Sequence, residues 1–549
     1  MRRIFIGDAS KWIWPLAILL LLFPLDLFGA TQTKKMKVVP KWGRFEQSFK
    51  SSVAYSNALQ EATLTAVFTS PLGETNQVYG FWDGAKTWRV RFSPNQPGRW
   101  LFRTICSDGS NQGLHNQQGE FTCTAATGQN RFNQHGPVRV ARDRRHFEHA
   151  DGTPFFWLAD TVWSGPLVAH FSDWDFYAKA RSAQQFTVAQ WTVAPGQDRK
   201  KQTAFAGSDS IVINPEFFQR LDAKVDTLNR AGILSAIVPL SELVSQTDSA
   251  AEIPGDQVAL LFRYIVARWG ADPVAWLLCP DGANQRTKTE RWKKIGHAVF
   301  GEARHAPVVL YAGEGRELLD RFRDQNWVDV FGYETAGDLA AQGFANEWQK
   351  EPIRPLIPFA PCENGINPRT KKRFGSDEVR RAIYWSLLLA PPAGVSYGGE
   401  GVMDWDERRE VEGQESEVSG QRPDDLPAWH KALFMPAAKQ MKYLAKLMGS
   451  VDFWRLRPQP NFLASQPSGS SQPPNVAAGS EAKDLSLIYL PQDRTLEIFL
   501  AALPASPSIG WFNPRTGENS PAVAVVGGQT CQFPTPDPGD WLLGTKTSK

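Results

Sequence analysis

Two rhythms of apolar and polar residues divide this chain. Between residues 38 and 125 short runs alternate with a period of two: Ala62–Phe68, Val78–Trp82, Thr87–Phe92, Arg99–Cys106 and Gly119–Thr124. Asp83-Gly84, Pro97-Gly98 and Asp108-Gly109 stand between them as turn signals. A period of two broken by turns predicts an antiparallel β-sandwich over 38–125. Thr127 to Pro137 reads as a polar linker.

From about residue 130 the rhythm changes. Asp151-Gly-Thr-Pro-Phe-Phe-Trp-Leu-Ala-Asp-Thr-Val-Trp163 opens with a turn, continues as a short apolar run and closes on the polar pair Asp160-Thr161. That is the pattern of a buried strand carrying polar groups at its C-terminal end. Seven more apolar runs follow: Phe186–Val193, Ile233–Leu240, Val274–Leu278, Val308–Tyr311, Val328–Gly332, Pro355–Phe359 and Gly394–Tyr397. Segments of helical period lie between them. Ser172 with Asp175 reads as a capping box, Asn214-Pro215 as a helix start, Gly232 and Gly270 as stops, and Ser376 as a cap. Eight strands alternating with helices predict a (β/α)8 TIM barrel over 130–455. Its last helix is expected over 428–448. Residues 456–481, rich in Pro, Ser and Gln, read as a linker. Residues 482–549 read as a small β-sandwich with strands Leu485–Leu490, Thr495–Ala501 and Val523–Val526.

The net charge of +3 implies neither nucleic acid nor an acidic membrane surface as a partner. The 21 Trp exceed what a chain of 549 residues usually carries. Most should pack in cores, and the rest could stack on sugar rings. Arg2, Arg3 and Lys11 precede an apolar stretch from Trp12 to Phe28, and Gly29-Ala30 offers a cleavage point. Residues 1–30 therefore predict an export signal and a secreted or periplasmic protein. Asp26 and Phe28 leave an uncleaved membrane anchor open as an alternative. The five Cys are odd in number and form no Cys-x-x-Cys pair, so no zinc site is expected. Cys106 and Cys123, on neighbouring predicted strands, could bridge in an exported protein.

Chemistry in such a barrel belongs at the C-terminal ends of the strands. The acids there are Asp160, Asp281, Glu314, Glu334, Glu363, Glu400 and Asp404. Cleaving a glycosidic bond requires two carboxyls across one mouth, one to protonate the leaving oxygen and one to attack or to activate water. Asp281 after strand four and Glu363 after strand seven suit these roles as acid/base and nucleophile. Asp160 reads as a hydrogen-bonding residue, structural or substrate-facing. Glu314, Glu334 and Glu400 read as solvated or loop-fixing. Trp163, Trp191, Tyr333, Tyr397 and Trp405 stand at mouth positions, where some should face substrate and others pack. The chemistry needs no metal or organic cofactor.

The stretch Asp151 to Trp163 resembles the opening of the apiosidase-like catalytic domain, which includes glycoside hydrolase family 140. Asn214-Pro-Glu-Phe-Phe218 with Asp222 and Asp226, Pro361-Cys-Glu363-Asn-Gly365 and Gly394-Val-Ser-Tyr-Gly398 resemble further motifs of that family, in the same order. Residues 38–125 are similar to the β domain that often precedes it, and Trp511-Phe-Asn-Pro-Arg-Thr-Gly517 to the signature of a terminal domain described as collagen-binding. The resemblance implies an acid/base Asp after strand four and a nucleophilic Glu after strand seven, which map onto Asp281 and Glu363. It also implies a pectic substrate, since characterised relatives release apiose from rhamnogalacturonan II. The chain departs from the pattern at Cys279-Pro280, at Cys362, at Pro239-Leu-Ser-Glu242 and at Tyr333-Glu-Thr-Ala-Gly337. An altered subsite follows from these departures. They also suit a second reading, a barrel that binds carbohydrate or attaches to a surface without cleaving.

Overall fold

A computed structural model describes residues 36–241, 253–280, 286–301, 305–313, 317–335, 341–368, 370–391, 393–407, 427–467, 473–492, 494–503 and 507–547. The predicted export segment lies outside them. No helix among the described residues is long and apolar enough to cross a membrane.

The alternating runs expected over 38–125 form two sheets whose pairs are antiparallel, except that Lys37–Pro40 runs parallel to Gln118–Thr124. One has the order Lys37–Pro40, Gln118–Thr124, Gly98–Cys106, Leu64–Thr69, Thr75–Tyr79, and the other is Phe45–Lys50, Thr87–Phe92, Phe81–Trp82. Their inner faces enclose Phe45, Phe68, Trp88, Trp100 and Phe121. Cys106 and Cys123 are not bridged, and all five cysteines are free thiols. The register explains it: Cys123 pairs with Gly98, at the far end of the strand that finishes on Cys106.

The eight strands of the central domain close into a barrel in chain order. They are Trp157–Thr161, Val188–Thr192, Leu234–Val238, Val274–Leu278, Val308–Tyr311, Val330–Glu334, Leu356–Phe359 and Gly394–Gly398, hereafter strands one to eight. Every neighbouring pair is parallel, including the closing pair of strands one and eight. Alternate residues of each strand fill the interior, among them Trp157, Leu234, Leu277, Val330 and Ile357. A three-stranded sheet, Val138–Val140, Phe147–His149 and Pro154–Phe155, adds Phe147 and Phe155 to that core, with Phe147 stacked 5.1 Å from Trp157.

Two helix boundaries differ from the expectation. The helix after strand one starts at Phe171 with His170 as its cap, so Ser172 lies inside the first turn. The final helix is broken into Trp429–Ala432 and Pro436–Ser450. Pro436 drives Met435 into an extended conformation, φ −56° and ψ 154°, so the chain cannot run through as one helix. Residues 456–481 are not simply a linker. Arg457–Pro458 and Val476–Gly479 are strands of the C-terminal sheet, hydrogen-bonded to each other and then to Leu485–Leu490.

The seam between strands one and eight is locked from outside. Asp160 is fully buried and takes hydrogen bonds from Arg181 Nε at 2.7 Å, Arg181 Nη2 at 3.2 Å and the Tyr177 hydroxyl at 2.7 Å. It does not face the mouth. Burial raises the Asp160 carboxyl, and the charge and hydrogen bonds of Arg181 and the Tyr177 hydroxyl oppose that rise. Arg181 Nη1 also donates to the Leu433 carbonyl at 3.0 Å, which ties down the turn before Pro436.

Charged clamps hold both flanking domains. Asp222, on the helix Pro215–Arg230, accepts from Arg91 of the N-terminal sandwich at 2.9 Å and from Arg268 at 2.7 Å. Arg44 of the same sandwich reaches Asp226 and Asp272, both at 2.8 Å. On the other side Arg380 pairs with Asp540 at 2.7 Å, and Tyr489 donates to the same carboxylate.

Two outcomes follow. Asp160→Asn strands a buried guanidinium without its counter-charge and should cost about 3–5 kcal/mol in denaturant unfolding; a loss near zero would remove the seam from the account. Burial pushes the Asp222 carboxyl up, but Arg268 and Arg91 overcome it and hold it at about 2, below its ordinary 3.8. Its stabilisation is thus complete above the ordinary value and drains away as pH falls towards about 2. The thermal midpoint of Asp222→Asn should lie below that of the parent at neutral pH, and the two should converge in that acid window.

Candidate active site

Side chains of successive strand residues point to opposite sides of the barrel wall. That parity decides the fate of each residue placed at the mouth by position. Asp160, Trp191, Tyr333 and Tyr397 fall on the outward phase and pack between the wall and the helices. Trp191 lies edge-on to Trp269 at 5.8 Å, and Tyr397 lies 5.9 Å from Phe186. Trp405 is also a packing residue, stacked on Trp429 at 4.4 Å and tilted against Trp174. None of these five offers a ring or carboxylate to a sugar. Trp163 differs: it is only partly buried and packs against the interior cluster.

The residues that do face inward near the C-terminal ends are the neighbours of those expected. Thr161, one place beyond Asp160, is inside, and its hydroxyl lies 3.1 Å from Gln190 Oε1. Ser396 donates to the same oxygen at 2.5 Å. Gln190 Nε2 is buried with no partner, so an amide donor stands unused in the barrel interior. Polar residues inside apolar runs were the signal for Gln190 and Ser396, and sequence reasoning passed over both. Tyr311, at the end of strand five, also faces the interior, and its hydroxyl donates to Glu334 at the end of strand six. Glu334 is exposed, so it is a carboxylate that solvent can reach at a strand end.

Asp281 lies outside the described residues. Cys279, two residues before it, is buried in the barrel interior.

Glu363 follows strand seven, and its backbone N–H donates to the Gly398 carbonyl at 2.8 Å, extending the sheet. Its side chain is 3% exposed. One carboxylate oxygen accepts from the Tyr397 hydroxyl at 2.6 Å and the other from the Ala437 backbone N–H at 2.9 Å. Ala437 belongs to the first turn of the helix Pro436–Ser450, so Glu363 fills the N-terminal end of that helix. Burial and then the Glu363 carboxylate push the Tyr397 hydroxyl well above its ordinary value, so it remains a donor. Beside Glu363, burial raises the Cys362 thiol, and Glu400 and Asp404 raise it further. Carboxylates therefore gather where strands seven and eight end.

Three successive parts of the chain match described families. Residues 38–107 match a domain of unknown function designated DUF5060. Residues 458–544 match the "putative collagen-binding domain of a collagenase". Residues 141–455, more than half of the chain, match the apiosidase-like catalytic domain. No curated protein matches the chain in sequence. Among solved structures, a "putative glycoside hydrolase" from Bacteroides vulgatus ATCC 8482 superposes with TM-score 0.69 at 18% identity, covering 93% of this chain and 100% of its own. A family 5 glycoside hydrolase from the same organism gives TM-score 0.63 at 18% identity, covering 77% of this chain and 95% of its own. At such identity the likeness concerns the fold: a barrel with its β-rich flanks. With its central domain matched throughout, the chain belongs to the apiosidase-like family of glycoside hydrolases.

Proposed function

We propose that this protein is exported through residues 1–30 and cleaves a glycosidic bond in a plant or algal polysaccharide, Asp281 serving as acid/base and Glu363 as nucleophile. The observation that carries the reading is the family match over residues 141–455. The setting of Glu363 supports part of the role. Its two oxygens accept from the Tyr397 hydroxyl and from a helix N-terminus, which fixes the direction in which the carboxylate points. Trp163 supplies an aromatic face beside the interior, and Gln190 a free amide donor. The family's known sugar, apiose, is the first substrate to try, and the departures at Cys279-Pro280 and Tyr333 to Gly337 argue for a related furanose or pyranose instead.

One observation favours a second reading, a barrel that binds glycan without cutting it. Glu363 is almost fully enclosed, and both its oxygens are engaged by groups of the outer layer. A sugar carbon must come within about 3–3.5 Å of a nucleophile.

Removing the two acids in turn separates the readings. Hydrolysis of pectic side-chain fragments should fall by at least ~1,000-fold in Asp281→Asn and in Glu363→Gln, since each carries a bond-making or proton-transfer step. Glu363→Gln also weakens a helix cap and should cost roughly 1–3 kcal/mol of stability. Full turnover in Glu363→Gln would exclude it as nucleophile, and Glu334, exposed at the end of strand six, is then the carboxylate to replace next. A glycan array read for both retention and product release tests the binding reading: retention without product on every positive glycan would establish it.

A further inference from the structure

The barrel's opposite end carries a cavity of about 360 Å³, lined by Arg139, Arg142, Arg144, His305 and Asp329 together with apolar backbone-rich residues. It lies between the three-stranded sheet that adds to the core and the residues just before strands five and six. Strands of five residues separate this face from the C-terminal mouth by roughly 16 Å.

Three arginines line this cavity against one aspartate, Asp329, which also feels the charges of Arg144 and Arg354. Arg139 is satisfied by Glu148 at 2.9 Å. Asp329 is the lining carboxylate, and it already accepts from the Val308 backbone N–H at 3.0 Å and lies 3.6 Å from His305. Arg142 is exposed and makes no ion pair or hydrogen bond among the described residues. Arg144 sits at φ +55°, in the left-handed region that non-glycine residues rarely occupy, at the turn beside this cavity. Its Nε donates to the Ile353 carbonyl at 2.9 Å, while its Nη2 is buried and has no partner. Behind it Arg354 is 6% exposed, and its Nε is also buried without a partner. Burial and then Arg144 push the Arg354 guanidinium down to about 10, against Asp329, which raises it.

Unpaired buried donors on neighbouring guanidinium groups call for an anion with planar or tetrahedral oxygens. A neutral hydroxyl would leave the charge uncompensated. We propose that this cavity is a non-catalytic subsite for the anionic group of an acidic polysaccharide, either a uronate carboxylate or a sulfate ester. The polysaccharide part rests on the glycoside hydrolase reading; the anion part rests on the cavity alone. Such a subsite would hold a charged chain on the face away from the mouth, lengthening its stay near the enzyme without touching the scissile bond.

Affinity electrophoresis of the full chain tests the proposal, because it requires no turnover. Gels would contain polygalacturonate, dextran sulfate or neutral dextran. The chain should be retarded by at least one charged polymer and not by neutral dextran. Retardation should weaken about tenfold in Arg142→Ala and in Arg144→Ala, and by a comparable factor when inorganic sulfate is added to the gel. Retardation by polygalacturonate alone identifies a uronate subsite, and by dextran sulfate alone a sulfate subsite. Retardation by neither, or equal retardation of the parent and Arg142→Ala, overturns the proposal. Arg142 is exposed, so its variant remains informative if Arg144→Ala fails to fold. Glu363→Gln should bind these polymers as the parent does, which keeps a failure here distinct from a failure of the hydrolase reading.

Discussion

The ion pair between Asp160 and Arg181 fixes more of this molecule than any other contact. A parallel barrel must bring its first strand beside its last, and backbone hydrogen bonds alone do not choose the register. Here a fully buried carboxylate on strand one meets a guanidinium and a phenol from the helix Phe171–Ala183. The same guanidinium holds the Leu433 carbonyl, and three residues later Pro436 starts a new helix. That helix presents the Ala437 N–H of its first turn to Glu363, and the Tyr397 hydroxyl of strand eight completes the set. One chain of polar contacts thus links strand one, its helix, the final helix and the segment after strand seven. Each member is buried, so losing one leaves a charge or donor without compensation.

This network bears directly on catalysis. Glu363 is held by two hydrogen-bond donors within the wall of packed groups around strand eight. Glu334 is the reverse case: it is open to solvent and held by a tyrosine from the interior. A two-carboxylate reaction requires both an ionised group and access for the sugar. Glu334 meets the requirement of access, and Glu363, 3% exposed, does not.

The flanking β domains are fastened, not merely tethered. Arg91 and Arg44 from one side and Asp540 from the other are partly or wholly buried against barrel helices. Asp222 and Asp226 belong to a motif that resembles the family's, and both serve as clamps for the N-terminal sandwich. Their charge therefore works in domain assembly.

The sequence by itself determined the architecture. Runs such as Val274–Leu278 and Val308–Tyr311 needed only their length and apolar content to be read as strands, because a parallel strand covered on both faces must be apolar throughout. That same uniformity hid the phase. With both faces apolar, nothing local says whether Asp160 or Thr161, Trp191 or Gln190, Tyr397 or Ser396 points inward, and a shift of one residue exchanges wall for mouth. The linker reading of Val476–Gly479 failed for a related reason: Ala and Gly in a Pro- and Ser-rich setting become a strand only because Leu485–Leu490 is there to pair with it. The break at Pro436 was written in the sequence, yet its consequence, a helix end whose Ala437 N–H meets a carboxylate 74 residues earlier in the chain, came from closure of the barrel. Local chemistry chose the elements; the hydrogen-bond registers between distant segments chose which side chains meet.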